Sequence, residues 1–250
     1  MRVTPPPSLR AAERGMGWRG DKLDGMTEAT DPAGAPAKTW KGLTADQRRD
    51  RRRAQLLDAG FEILGTLGAA ELGVRSVCRR AGLTERYFYE SFDSRESLLE
   101  AVVDQVSTAG FARMGEARHR ANAARADPVK PMIRAYLDYF SEDPRRGRIQ
   151  FVEAGIAFPL GHHRKPGHPR AVALFTDLLA ADSDEEKGDA ADLTLNAYAL
   201  AGSQAELIMR WLDGQLRVPK ERIVRHMLGV FRAVQDVTSR AERVPKEPLD

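Results

Sequence analysis

The stretch GVRSVCRRAGLTERYFYESFDSRESLLEAV, from Gly73 to Val102, sets two short helical patterns back to back. Val74, Val77, Cys78 and Ala81 recur at i, i+3, i+4 and i+7, which is one apolar face of a two-turn helix. Gly82 suits a left-handed C-cap that turns the backbone sharply. Thr84 is a good N-cap, so a second helix opens within three residues of the first one's end, carries Glu85 to Glu90 and stops near Phe92. Two short helices joined by a glycine-containing turn form a helix-turn-helix pattern, here over residues 74–92. Phe88 and Phe92 lie four apart and pack inward. Glu85, Arg86, Tyr87 and Tyr89 are then left facing outward, a set of side chains suited to a major groove.

Working outward, Thr44 followed by Gln47 predicts a capping box opening the preceding helix. That helix has the apolar stripe Ala54, Leu57, Phe61 and Leu64 and ends at Gly65 and Gly68. Five arginines, Arg48, Arg49, Arg51, Arg52 and Arg53, crowd its start, either on DNA phosphates or as a solvated face. Downstream, Asp127-Pro128 and Asp143-Pro144 each place an N-cap before a proline, and Pro169 and Pro219 mark two further helix starts. The stripe Leu193, Ala197, Leu200, Gln204, Leu207 and Trp211 predicts one long helix. Ile223, Met227, Val230, Phe231 and Val234 predict another. No period-2 strand pattern stands out.

The expected class is therefore all-α, with about nine helices. A three-helix N-terminal bundle containing the helix-turn-helix spans 44–97, and a larger helical domain for effector binding and dimerisation spans 98–238. Residues 1–43, with Pro5-Pro6-Pro7 and scattered glycines, read as a disordered extension. They are either an inert tail, an upstream extension of a start at Met16 or Met26, or an arm whose Arg10, Arg14 and Arg19 reach DNA. Residues 239–250 read as a polar tail.

Composition narrows the function. The single cysteine, Cys78, excludes an internal disulfide framework and a Cys-rich zinc site, and its place on an apolar helix face suits a small buried residue. No apolar run approaches the roughly 18 residues of a membrane span, and no secretory signal opens the chain, so a cytoplasmic location is expected. The formal net charge of +3 is concentrated: residues 38–97 hold 12 Lys/Arg against 9 Asp/Glu, and the remainder balances. A local positive excess supports a polyanion-binding surface there.

At these residues the sequence resembles the tetracycline-repressor (TetR) family. The matching signature is Ala81-Gly82, Thr84, Phe88-Tyr89, Phe92, Arg95 and Leu98-Leu99, together with Phe61, Leu64, Gly68 and Val74-Arg75. It is specific over about 44–102. Cys78 and Arg80 depart from the small residues often found at their positions. The resemblance implies that Tyr89 and Arg95 grip phosphates, that Thr84 caps its helix and touches the DNA backbone, and that Arg75 lies near the backbone or groove. Glu85, Arg86 and Tyr87 are the implied base readers, with arginine favouring guanine. Tyr87 and Tyr89 have the alternative role of core aromatics.

The resemblance further implies a homodimer on a near-palindromic double-stranded operator. Ala197, Ala201, Leu207, Trp211, Met227 and Phe231 are candidates for the interface, or else for the protomer's own core. It also implies a pocket for a small apolar or aromatic effector, with candidates Met132, Tyr136, Tyr139, Phe140, Phe151, Phe158, Phe175, Asn196 and Gln204. The implied activity is transcriptional regulation, expected as repression relieved by the effector; a helix-turn-helix binder without an effector is the alternative. No cofactor, metal or enzymatic activity is expected. There is no phosphate loop, dinucleotide fingerprint or nucleophile elbow. His162, His163 and His168 read as a loop, and the acidic run from Asp182 to Asp189 lacks calcium-loop spacing.

Overall fold

In the computed structural model, the structure describes residues 44–157, 168–181 and 190–241. The expectations for residues 1–43, Phe158, His162, His163, the acidic run and the end of the C-terminal tail lie outside these residues. Among the described residues there are ten α-helical segments and no strand, as the periodicity predicts. They are α1 (Ala45–Thr66), α2 (Val74–Ala81), α3 (Glu85–Tyr89), α4 (Arg95–Ala123), α5 (Val129–Glu142), α6 (Pro144–Gly147), α7 (Ala154–Ala157), α8 (His168–Ala180), α9 (Ala190–Leu212) and α10 (Lys220–Ala241). A 3-10 turn, Ala69–Glu71, separates α1 from α2, and a π-helical stretch, Arg148–Glu153, joins α6 to α7.

The expected caps form. The Thr44 hydroxyl accepts from the Gln47 amide at 3.2 Å, and the Gln47 side chain accepts from the Thr44 amide at 2.8 Å. Asp127 and Asp143 accept from the amides of Val129 and Arg145 at 3.0 and 3.1 Å. Gly82 sits at φ +67°, the left-handed conformation that lets α2 stop and α3 depart.

Two apolar clusters organise these helices. The first joins α1, α2 and α3 to the first half of α4 and reaches Tyr139, Phe140 and Ile149. The second gathers the distal half of α4, α5, α8, α9 and α10. The helix α4 runs unbroken through both. On α1 the buried seam is Leu56, Ala59, Gly60, Ile63 and Leu64, with Leu57 and Phe61 flanking it, so Ala54 of the predicted stripe is exposed and lies outside the buried seam. The tight face explains this: a Cβ on Gly60 would stand 3.0 Å from Val102, so α4 approaches on the Gly60 side.

The five-residue α3 is too short to persist by helix propensity alone. Phe88 holds it, fully buried and packed against the rings of Phe92 and Tyr89. Truncating such a side chain costs about 3–5 kcal/mol.

The two C-terminal helices correct one expectation. Met227, Phe231, Ala197 and Ala201 are 3%, 1%, 0% and 3% exposed, so the protomer's own core consumes them. Leu207 and Trp211 also pack against that core, and the Trp211 indole donates to the Val218 carbonyl at 3.0 Å. The apolar surface left open on these helices is Leu195, Tyr198 and Val237.

Candidate nucleic-acid interface and effector cavity

The outward side of α2, Thr84 and α3 carries the residues anticipated for DNA. Arg86 and Arg75 have side chains 84% and 90% exposed, Tyr89 is more than half exposed, and Thr84 and Glu85 are exposed. Tyr87 is half-buried because Arg52 of α1 lies 4.5 Å over its ring. Ion pairs set the orientation of this face. Arg75 Nε meets Glu85 at 3.2 Å, bridging α2 and α3. Glu90 accepts from Arg86 Nε at 3.1 Å and from Arg52 Nη2 at 3.4 Å. Arg53 stacks over Phe92 at 4.2 Å and donates to the Ser91 carbonyl at 2.8 Å. Part of the arginine cluster therefore braces the helix-turn-helix from behind, a role that charge counting does not reveal.

Two roles differ from those the sequence suggests. Thr84 occupies the N-cap position of α3, yet its side chain makes no capping bond; the backbone carbonyl alone accepts from Tyr87 and Phe88. Its hydroxyl is left for another partner. Arg95 is engaged within the protein as well: Nη2 donates to the Ala69 carbonyl at 2.6 Å, and Glu96 lies 3.7 Å away. Its position at the first turn of α4 points the side chain back to the α1–α2 connection. The departures at Cys78 and Arg80 fit without distortion. Cys78 is buried, and burial, aided by the nearby Glu85 carboxylate, pushes its thiol pKa up; Arg80 pairs with Glu62 at 3.3 Å.

The second cluster encloses a cavity of about 70 Å³. Of the anticipated residues, Met132, Tyr136, Phe151, Phe175 and Gln204 line it. Tyr139, Phe140 and Asn196 do not. Tyr139 is turned towards α4, with its hydroxyl on the Val106 carbonyl at 3.1 Å; Phe140 belongs to the first cluster, and Asn196 donates to Thr238 at 2.9 Å. Phe111, Met114 and Ile208 complete the lining, as do Met227 and Phe231. Burial pushes the Tyr136 phenol upward in pKa, so it lines the cavity as a neutral group.

Gln204 is the chemically distinctive part of this wall. It is 4% exposed, and its Nε2 donates to the Met227 carbonyl at 3.0 Å, which fixes the orientation of the amide. Its Oε1 is buried with no partner. An acceptor left in apolar surroundings costs about 1–3 kcal/mol until a donor reaches it. A more open groove of about 620 Å³ lies beside the cavity, lined by Phe140, Arg148, Val152, Met209, Trp211 and Asp213 among others. Phe151 is common to both walls. Among the described residues no group of three His, Cys, Asp or Glu could hold a metal, and no helix is long and apolar enough to cross a membrane.

Residues 56–102 match the family model described as "Bacterial regulatory proteins, tetR family". The chain is 23% identical over 177 residues to the HTH-type transcriptional activator FasR of Mycolicibacterium smegmatis, covering 70% of this chain and 79% of that protein. Its fold is similar to that of FadR, a fatty acid degradation regulator from Bacillus halodurans, with a TM-score of 0.56 at 14% identity, covering 74% of this chain and 94% of that one. A TetR-family regulator from Rhodococcus sp. gives a TM-score of 0.56 at 20% identity, covering 74% and 99%. From α1 to α4 the chain thus carries a helix-turn-helix module of the tetR type, within an all-helical fold similar to that of such regulators.

Proposed function

We propose that this regulator binds a near-palindromic operator as a homodimer in the cytoplasm and acts as a repressor whose hold on DNA is loosened by a small apolar effector. The observation that carries the DNA-reading part is the outward face of α3, presented by a fully buried Phe88. Glu85, Arg86 and Tyr87 are the base readers in this proposal. Tyr89, Arg75 and the unspent Thr84 hydroxyl take the phosphates. One such helix covers a half-site, so two are needed about one DNA turn apart. The interface for this pairing is the open face of α9 and α10, where Leu195, Tyr198 and Val237 are exposed and a Cβ on Gly202 or Gly229 would meet nothing.

The effector is an apolar molecule with one hydrogen-bond donor, which Gln204 Oε1 accepts. A cavity of about 70 Å³ is far below the roughly 300–1,000 Å³ of a ligand pocket. Occupation must therefore push the lining apart, and Met114, Met132 and Met227 are pliable enough to yield. Displacing α4, α5 and α9 favours a different spacing of the two recognition helices, which is a shift between states. FasR, an activator, supports a second reading in which the same chain activates.

Selecting bound duplexes from a random pool tests this. A two-fold symmetric consensus is expected, and its release by donor-bearing apolar compounds supports the effector. An asymmetric or absent consensus defeats the operator reading. Operator position relative to the promoter then separates repression from activation.

A further inference from the structure

Three side chains, Glu153, Arg95 and Arg148, tie the connection between α1 and α2 to the rest of the chain. The Ala69 amide donates to Glu153 Oε2 at 2.8 Å, while the Ala69 carbonyl accepts from Arg95 at 2.6 Å. Arg148 donates through Nη1 to the Thr66 carbonyl at 2.8 Å and through Nε to Glu153 Oε1 at 2.9 Å. The Glu153 side chain is 6% exposed, so both of its oxygens depend on these partners rather than on water. Gly68, at the centre, has φ +98°, and a Cβ there would stand 2.9 Å from Arg148 Nη2. A side chain at Gly68 would therefore have to displace the Arg148–Glu153 pair.

The π-helical stretch makes this arrangement available. In an α-helix, residues five apart point about 140° away from each other. The i→i+5 ladder of a π turn instead brings Arg148 and Glu153 to the same side of the helix. Relaxation of this turn to α-helix separates the pair and draws Glu153 off Ala69. Phe151, on the same turn, is in the wall of both the cavity and the groove.

We infer that Glu153 is a positioning residue for DNA reading: by holding the Ala69 amide, with Arg148 as its partner on the π turn, it sets the connection from which α2 and α3 hang. The reading of the cavity as an effector site would explain what disturbs the π turn, and in that respect the inference rests on the proposed function. The grip on Ala69 does not depend on it.

The test uses the full-length protein and its selected operator, with amide hydrogen exchange read at Ala69. Glu153→Ala is expected to speed exchange at Ala69 at least about tenfold and to weaken operator binding about tenfold, while the amides of Leu137 and Val224 keep their rates. Glu153→Gln retains an acceptor for Ala69 and is expected to restore most of both. Arg148→Met should act in the same direction, and adding it to Glu153→Ala should cost less than the two single effects summed, since they share the Arg148–Glu153 pair while Arg148 keeps its own bond to Thr66. If Glu153→Ala does not fold, Arg148→Met and Glu153→Gln carry the comparison. Operator binding at the wild-type level in Arg148→Met and Glu153→Ala overturns the inference. Weakened binding with Ala69 protection intact overturns it too. A panel of apolar compounds that never alters DNA binding would count against the effector while leaving the variant comparison decisive.

Discussion

The guanidinium of Arg52 lies 4.5 Å over the ring of Tyr87 while one of its nitrogens meets Glu90 at 3.4 Å. This single side chain from α1 thus holds two residues of the recognition segment, and its own side chain is only 22% exposed. A brace and a phosphate ligand predict different salt behaviour. Arg52→Ala should weaken operator binding by about 1 kcal/mol through loss of the stacked cation, with the slope of log affinity against log salt unchanged. Arg52→Lys should not restore it, since an ammonium lacks the planar face that stacks. A slope shallower by about one would show that Arg52 contacts a phosphate instead.

Arg86 projects from α3 with its Nε held by Glu90. Replacing Arg86 with alanine should cost about 1–3 kcal/mol on the selected operator and relax preference at one base position. Glu90→Gln should tighten binding to all duplexes and steepen the salt slope, because a negative charge leaves the DNA-facing side and Arg86 is freed of an internal carboxylate. Titrations at several salt concentrations read both effects. An unaltered base preference in Arg86→Ala would remove it from the readers.

Asp143 links acid sensitivity to the junction beside α1. Its hydrogen bonds with the Arg145 guanidinium, with the Arg145 amide adding to them, hold its carboxyl below the usual carboxylate range despite partial burial. The sign follows: with the folded value depressed, the stabilisation is fully present above the unfolded value and is lost as pH falls through the folded one. Asp143→Asn should therefore flatten the acid limb of thermal stability below about pH 4 and leave the neutral region less affected. Asp143→Ala also removes a cap and should cost about 1 kcal/mol at neutral pH. Melting curves from pH 3 to 7 measure both, and an acid limb identical to wild type in Asp143→Asn would place the titration elsewhere.

Gln204 gives the cavity a directional preference. Indole and indene have nearly the same shape, and only indole carries an N–H. The wild-type protein should bind indole about tenfold more tightly than indene, because indole satisfies an acceptor that is otherwise stranded. Gln204→Leu should erase that preference and shift Tm little, since a half-satisfied buried amide is replaced by an apolar side chain of similar size. Calorimetric titration of both compounds into both proteins makes the comparison. Equal affinities in the wild type would mean that Gln204 Oε1 does not face the ligand.

How far the residues announce this structure depends on the range of the interaction. The helix-turn-helix is legible because each of its signals is local: the apolar spacing from Val74 to Ala81, the left-handed Gly82, the four-residue step from Phe88 to Phe92. Caps at Thr44, Asp127 and Asp143 are legible for the same reason. The grip of Glu153 on Ala69 spans 84 residues and that of Arg95 spans 26, and nothing near either residue points to its partner. The π turn is hidden because a short, mostly apolar stretch such as Ile149 to Val152 fits several helical periods. Aromatic content identifies a cavity-forming region but not its wall: Tyr136 lines the void, while Tyr139 and Phe140 serve the other cluster. On α9 and α10 apolar residues occupy more than one face, so spacing alone does not say which face meets the core.

That last ambiguity makes the dimer a sharp test. Leu195, Tyr198 and Val237 are 65%, 53% and 59% exposed, so the protomer does not need them for its own packing. Leu195→Glu and Tyr198→Glu should leave the monomer folded, because each added carboxylate stays in water until a partner buries it. At the interface the same charge is desolvated without a counter-ion, at a cost of several kcal/mol. Sedimentation should then shift from dimer to monomer, and operator affinity should fall by roughly 10²–10⁴ as two-point attachment is lost. Phe231→Glu reverses the pattern, since a charge in a side chain that is 1% exposed should unfold the protomer itself. A Leu195→Glu protein that remains dimeric would put the pairing surface on another part of the chain and return this face to solvent.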